Sequence, residues 1–368
     1  MKAKKGPNFI DKILLWINLF LCACLLISYL APFISPAKFW PVAFFGLAYP
    51  FLLLAGVIFL VYWLLRKSIW TLLPIITIGI GWNVLNKNIG LRFPSSYGEK
   101  NVEAIRVMTY NVHNFKRYGE KNDISTKHEI LGIIMDQQPD VIGLQEFYTR
   151  KRGQYDMLDS IQKILRCNNY YFEAIRSNRD EAIGIAIFSK FQIVGHGFIQ
   201  LADRSSENQC LFIDIKKGAK TIRVYSVHLQ SIRFDPDDYR YLNNVSQQGK
   251  PEVGSAKRLG VKLKVAFVKR SEQVFKVKDH ADSCSYPYII SGDFNDTPAS
   301  FAVNQMCKGM KNAFREKGSG LGRTYNGNFP NYQIDYIMVS KQFDVSNYNI
   351  VEKRLSDHYP VCSDLLLK

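Results

Sequence analysis

The sequence has no CxxC pair, and none of its seven Cys has a His at zinc spacing. That excludes the common structural zinc sites. The Cys are odd in number and scattered, with Cys22 and Cys24 in an apolar segment and Cys167, Cys210, Cys284, Cys307 and Cys362 over the rest. A disulfide framework is therefore not expected, and buried free thiols are. No internal repeat is evident. Acidic residues are in deficit, 32 Asp+Glu against 48 Lys+Arg, for a formal net charge of +16. The first 100 residues hold 10 basic and 2 acidic residues and the remainder 38 and 30, so each part is net +8. The part after residue 100 is thus only moderately basic, which suits an anionic substrate without demanding one.

What is present begins with apolar runs. Residues 13–30 are apolar for 18 positions, long enough to span a bilayer. Residues 39–65 form a second run, interrupted by Pro41 and Pro50 and closed by Arg66-Lys67, and residues 69–85 a shorter third with Gly79 and Gly81. No charge interrupts any run, which gives a transporter or receptor little support. Trp16, Trp40, Trp63, Trp70 and Trp82 mostly fall near run ends, as interfacial aromatics do. The first run resembles a signal peptide in position. The two runs that follow at once, and the poor cleavage sequence Ala31-Pro32-Phe33, favour a membrane anchor of about three helices over 1–86. Lys2, Lys4, Lys5, Lys12 and Arg66-Lys67 would face the cytoplasm. Three crossings put everything after residue 86 on the outer, periplasmic or extracellular, side; if the third run does not cross, the side reverses.

Residues 87–103 read as a polar linker containing Pro94-Ser95-Ser96. From 104 to 368 short apolar runs alternate with polar loops. Strands are expected at 104–110, 141–145, 182–189, 209–215, 221–228, 288–291, 332–339 and 361–366. Helices are expected at 127–137, 155–167 and 255–282. Strands interleaved with helices indicate an α/β domain. Residues 234–254, rich in Asp, Asn, Tyr and Gln, read as an inserted loop. The long helix after it carries Leu259, Leu263, Phe267, Val274 and Val277 at helical spacing. Its basic faces, with Lys257, Arg258, Lys262, Lys264, Lys269 and Arg270, are either solvated surface or a guide for phosphate groups or anionic lipid.

The most telling stretch is Tyr288-Ile-Ile-Ser-Gly-Asp293-Phe-Asn295-Asp296. A short apolar run reads as a buried strand, and residues two apart on it point to one side. Asp293 and Asn295 would then project together. A carboxylate that takes a proton from water, beside an amide that orients the water, forms a hydrolytic pair. Gly, Asp and Asn also make turns. Five other runs carry polar residues at their ends: Arg106 to Asn111-Val-His113, Asp140 to Glu146, Arg223 to His228, Asp335 to Val339, and Asp357-His358 before the last strand. Each alone has a structural reading; six in one chain point to a shared site at strand ends.

In this order the six motifs resemble the endonuclease/exonuclease/phosphatase superfamily, which includes pancreatic deoxyribonuclease, abasic-site endonucleases, inositol-polyphosphate phosphatases and bacterial sphingomyelinases. The resemblance covers about residues 101–368, and Ser-Gly-Asp-Phe-Asn and Ser-Asp-His-Tyr-Pro are its most specific parts. It implies a four-layer α/β sandwich, two mostly antiparallel sheets flanked by helices, behind the N-terminal membrane anchor. It also implies hydrolysis of phosphate esters with Mg²⁺, or Mn²⁺. Glu146 would be the main metal ligand, with Asn111 beside it and Asp357 close by. Asp293 would be the base, Asn295 would orient water or phosphate, and His228 and His358 would bind phosphate oxygens. Asp335 would pair with His358 and keep it cationic. Glu181 stands where some relatives keep a carboxylate that pairs with the first His, here His228. Gln333 departs from the Arg often found there, which weakens any detailed substrate analogy.

The substrate stays open. Arg233, Phe234, Tyr239, Arg240 and Tyr241 fit a nucleic acid or a phospholipid headgroup equally. The membrane bilayer is the other expected partner, and no obligate protein partner is expected. An inactive membrane-tethered binding domain is the competing class. It would lack at least one of Glu146, Asp293, Asn295 or His358, and all are present.

Overall fold

A computed structural model describes residues 9–92, 100–116, 124–249, 252–327 and 330–368. Lys2, Lys4, Lys5 and the linker's Pro94-Ser95-Ser96 lie outside the described residues.

Two apolar helices, α1 (Phe9–Ser28) and α3 (Pro41–Leu65), pack on each other and are joined through the short α2 (Pro36–Phe39). Both are long and apolar enough to cross a membrane. The third run is not one straight helix. A 3₁₀ turn leads into α4 (Leu72–Ile80), and α5 (Trp82–Asn88) follows at a 66° bend. The break falls at Gly81, where a Cβ would lie 2.0 Å from the Tyr29 ring. A larger residue at Gly81 would have to displace the Tyr29 ring. At one end of this bundle Asp11 accepts hydrogen bonds from Tyr62 Oη at 2.7 Å and Arg66 Nη2 at 2.6 Å. At the other end Phe44 meets Phe267 edge-on, centroids 5.3 Å apart, and Tyr332 Oη donates to the Leu47 carbonyl at 3.0 Å. The α/β domain therefore sits against the end of the bundle away from Asp11 and Arg66.

That domain opens with β1 (Ile105–Asn111), α6 (Ile124–Gln137), β2 (Val141–Arg150) and α7 (Met157–Leu165). Strands β3 (Asn169–Ser177), β4 (Glu181–Ser189), β5 (Ile193–Ile199), β6 (Cys210–Lys217) and β7 (Lys220–His228) follow. Then come α8 (Pro236–Gln248), α9 (Val253–Asp282), β8 (Tyr288–Asp293), α10 (Phe301–Met306), β9 (Lys311–Asn312) and α11 (Ala313–Lys317). Strands β10 (Asp335–Val339), β11 (Phe343–Ile350) and β12 (Val361–Leu367) close the chain's described order.

One sheet runs β11-β12-β1-β2-β4-β3 and the other β5-β6-β7-β8-β10-β9. Each contains one parallel pair, β1–β2 and β7–β8, and its other pairs are antiparallel. The inner faces meet through Val107, Ile187, Leu211, Ile289, Ile337 and Val361. Ile130 and Ile161 cover the outer face of the first sheet, and Val274 and Met306 that of the second. Burying each such side chain contributes roughly 1.5–3 kcal/mol, which holds the four layers helix–sheet–sheet–helix together. This is the expected four-layer sandwich. All seven Cys are free thiols.

Within the expected loop at 234–254, Pro236–Gln248 form a helix. Asp235 accepts from the N–H groups of Asp237 and Asp238 at 3.1 and 3.0 Å, Asp238 accepts from the Asp235 N–H at 3.0 Å, and Pro236 takes the first helical position. This reciprocal cap starts α8 although the segment has no continuous apolar stripe. Four strands, β3, β5, β9 and β11, also go beyond the expected eight; each is a sheet edge.

Candidate active site

The site is built on strand ends. His228 ends β7 and Asp293 ends β8, and the two pair in parallel register; Asp335 begins β10 and pairs with Asp293 from the other side. Three polar residues thus stand in one row across the second sheet. Gly292 makes that row possible: its φ is +147°, and a Cβ there would lie 2.0 Å from the Val227 carbonyl oxygen. On the first sheet Asn111 ends β1. Glu146 sits in an irregularity of β2, where pairing with β4 slips between Leu144 and Phe147 and its own φ is +50°. Such a bulge re-aims a side chain. Gln145 Nε2 donates to Ser226 Oγ at 2.9 Å and ties the two sheets together beneath the site. Ser356 Oγ donates to the Asn111 carbonyl at 2.8 Å and docks the loop that carries Asp357 and His358.

Asp293 Oδ2 is the centre. Asn111 Nδ2 donates to it at 3.1 Å and Asn295 Nδ2 at 3.2 Å. His228 Nε2 lies 3.6 Å away and His358 Nε2 3.7 Å, both too long for direct hydrogen bonds. Asn111 Nδ2 also reaches Glu146 Oε1 at 3.2 Å, so one amide links the two carboxylates. Its own oxygen accepts from the His113 N–H at 3.1 Å. Behind the row, His358 Nδ1 lies 2.9 Å from Asp335 Oδ2. Thr324 Oγ1 holds the N–H groups of Ile334 and Asp335 at 3.0 Å each.

Burial pushes the Asp293 carboxyl up, and the Asp335 charge adds to this; the two His and Asn111 only partly offset it. Burial would also raise Glu146, but the His113 contact and the His228 charge outweigh it and leave Glu146 below the usual carboxylate range. Burial alone would lower His358. The Asp335 and Asp293 carboxylates outweigh it and hold the ring well above the ordinary imidazole value. Two neighbouring carboxylates thus differ in proton affinity, one poised to take a proton and one firmly ionised, as acid–base chemistry needs.

Glu146 and Asp357 converge on the His113 ring, with Nδ1 3.4 Å from Glu146 Oε2 and 3.6 Å from Asp357 Oδ1. Burial lowers His113, but Glu146 and Asp357 raise it further, so positive charge is favoured between them. Two hard carboxylates around a point that attracts positive charge suit a divalent cation. Asp293, Asp335 and His358 also bring ligand atoms within 4.8 Å of one another, all buried. There Asp335 Oδ2 and His358 Nδ1 already pair with each other.

Arg233 is exposed at the rim of the cleft, with φ +57°, and donates to Ser206 Oγ at 2.9 Å. Glu181 does not reach His228. It accepts from Tyr148 Oη at 2.6 Å and faces Arg150, because it is paired with Arg150 at the end of β2, four residues beyond Glu146. Phe294 points into the core against Tyr336, and Asp296 accepts from the buried Arg270 Nε at 2.9 Å. His113 and Arg270 line the cleft; the sequence gave His113 no role and placed Arg270 on a basic helix face, whereas the structure buries Arg270 against Asp296. His113 closes the Asn111-Val-His113 motif, and it opens three successive residues with left-handed φ, 44°, 57° and 58°. Such strain gathers at functional sites.

Residues 108–358 match a model described as the Endonuclease/Exonuclease/phosphatase family. The chain belongs to that family. Its members are hydrolases acting on phosphoesters. Residues 11–88 match a domain of unknown function, DUF8431. Among solved structures the chain resembles an endonuclease/exonuclease/phosphatase from Beutenbergia cavernae, at 19% identity and a TM-score of 0.51, over 72% of each chain. It also resembles a family protein from Bacteroides thetaiotaomicron, at 17% identity and a TM-score of 0.50, over 74% of this chain and 100% of that one. The catalytic domain of human Nocturnin aligns at 17% identity and a TM-score of 0.50, over 72% and 94%. At such identities the likeness establishes the fold. No curated protein matches the chain.

Proposed function

We propose that the chain is a metal-dependent phosphoric ester hydrolase whose membrane anchor holds the catalytic domain on the outer side. The observation that carries the reading is Asp293 Oδ2, ringed by Asn111, Asn295, His228 and His358 in one cleft. Asp293 takes a proton from water while Asn295 orients it, and the water oxygen forms the new bond to phosphorus. His228 and His358 stabilise the charge that develops on the phosphoryl oxygens. As the ester P–O bond breaks, a His cation gives its proton to the leaving oxygen. Asp335 holds the His358 ring in place. Glu146 and Asp357, with Asn111 beside them, would hold Mg²⁺ or Mn²⁺. When bound, such an ion supplies Lewis-acid polarisation of the phosphate.

The full chain is expected to cleave an aryl phosphodiester or phosphomonoester only with Mg²⁺ or Mn²⁺. Asp293→Ala and Glu146→Ala should each lower kcat by roughly 10²–10⁴-fold. Retention of more than a tenth of the activity in either variant overturns the assignment. The outer side is supported by the bundle's polarity, with Arg66 and Asp11 at the end away from the domain. A reporter fused after Lys368 should register the outer side, and a cytoplasmic signal reverses the topology.

A further inference from the structure

The cleft around Asp293 is not walled by the α/β domain alone. Leu47 of the membrane-spanning α3 lines it, beside Ile232, Phe234, Leu263, Phe267 and Tyr332. The cleft has a volume of about 250 Å³. Leu259, Leu263 and Phe267 of α9 pack with Ala43, Phe44 and Leu47 into one apolar cluster. The reacting groups therefore lie beside the level at which α3 meets the domain.

On the far side of Tyr332 runs a second, larger cavity of about 760 Å³. Its walls are mostly apolar, with Leu53, Leu54 and Val57 of α3 facing Leu321 and Tyr332, and Arg323 and Gln333 add polar groups from the α/β domain. Leu54 and Leu321 are 58% and 52% exposed, so this groove opens outward. Leu53 to Val57 lie two to three turns further along α3 than Leu47, deeper in the span. An apolar groove at that depth opens to hydrocarbon, where an acyl chain fits and a nucleic acid does not. Tyr332 is the common wall of groove and cleft, anchored by its bond to the Leu47 carbonyl. Lys264 sits over the Trp40 ring at 4.9 Å at the same end of the bundle, a cation placed for phosphate headgroups.

We infer that the substrate is a membrane lipid carrying a phosphate ester, its acyl chain along α3 and its headgroup passing Tyr332 to Asp293. This rests on the hydrolase reading above. Water adds its oxygen to phosphorus, the ester P–O bond breaks, and the leaving alcohol receives the proton, so no further reactant is needed.

The test uses the full chain in mixed micelles with Mg²⁺ or Mn²⁺. Long-chain phosphatidylglycerol, phosphatidylinositol phosphate and phosphatidic acid are each compared with their deacylated counterparts, alongside a single-stranded oligonucleotide and bis(p-nitrophenyl) phosphate. At least one long-chain lipid should exceed its deacylated form and the oligonucleotide by tenfold or more in kcat/KM. Leu54→Trp, which fills the groove from its exposed side, should lower that long-chain to deacylated ratio at least fivefold. If bis(p-nitrophenyl) phosphate is cleaved but no lipid is preferred, or the oligonucleotide is, the lipid inference falls and the hydrolase reading stands. An unchanged ratio in Leu54→Trp overturns the groove. If nothing is cleaved, both readings fall.

Discussion

His358 Nδ1 lies 2.9 Å from Asp335 Oδ2, and both residues are buried. The contact joins the final loop of the chain to the first residue of β10. It leaves His358 Nε2 pointing at Asp293, 3.7 Å from Oδ2. The carboxylate thus sets both the orientation and the charge of the ring.

Asp335→Asn should lower kcat by roughly 10²–10⁴-fold, since a positioned acid–base group loses its support. The pH profile separates this from simple damage. Burial pulls the His358 pKa down and Asp335 is the largest influence raising it. In the parent protein the cation persists to higher pH; without Asp335 it is lost at lower pH. The high-pH fall in kcat/KM should therefore move to lower pH in the variant. An unmoved limb would show that His358 does not act as a cation.

Gly292→Ala tests the row of His228, Asp293 and Asp335. The added Cβ would meet Val227 backbone at 2.0 Å with φ at +147°, a conformation open almost only to Gly. β7 and β8 must separate, so the variant should fail to accumulate as folded protein in a membrane fraction. A folded, active Gly292→Ala protein would contradict this register.

Arg270 is 1% exposed and Asp296 5% exposed, and they bond at 2.9 Å. Removing one partner strands a buried charge at a cost of about 3–5 kcal/mol. Asp296→Ala should lower the thermal midpoint sharply. The pair Arg270→Met with Asp296→Leu should recover most of the loss, because neither charge remains. Equal midpoints for Asp296→Ala and the parent would show that the pair contributes nothing.

The eight strands expected from apolar runs are all interior to the two sheets or next to an edge, and the four unexpected ones are the edges. An edge strand has one neighbour and stays partly open to water, so β3 and β5 mix polar and apolar positions. An interior strand buried on both faces must be apolar, and where the burial ends the chain turns polar. That is why Asn111, His228, Asp293 and Asp335 were legible as strand-end residues; Glu146, read the same way, instead sits in a bulge within β2, which continues to Arg150. Helix α8 escaped for a different reason. It rests on the Asp235–Asp238 cap, which a search for apolar spacing does not register.

Sequence alone thus determined the central strands, most of the polar residues at their ends and the apolar N-terminal helices, because each follows from local burial. Only the tertiary structure decided which of these residues meet. Asn111 and Asp293 are 182 positions apart, on strands of different sheets, and the packing of the two sheets brings them to 3.1 Å. Tyr332 and Leu47 are 285 positions apart, and their contact sets the cleft against α3, a helix long and apolar enough to cross a membrane. His113 joined the site, and Glu181 left it, for the same reason: backbone geometry and position along the strand, not residue type, aim a side chain.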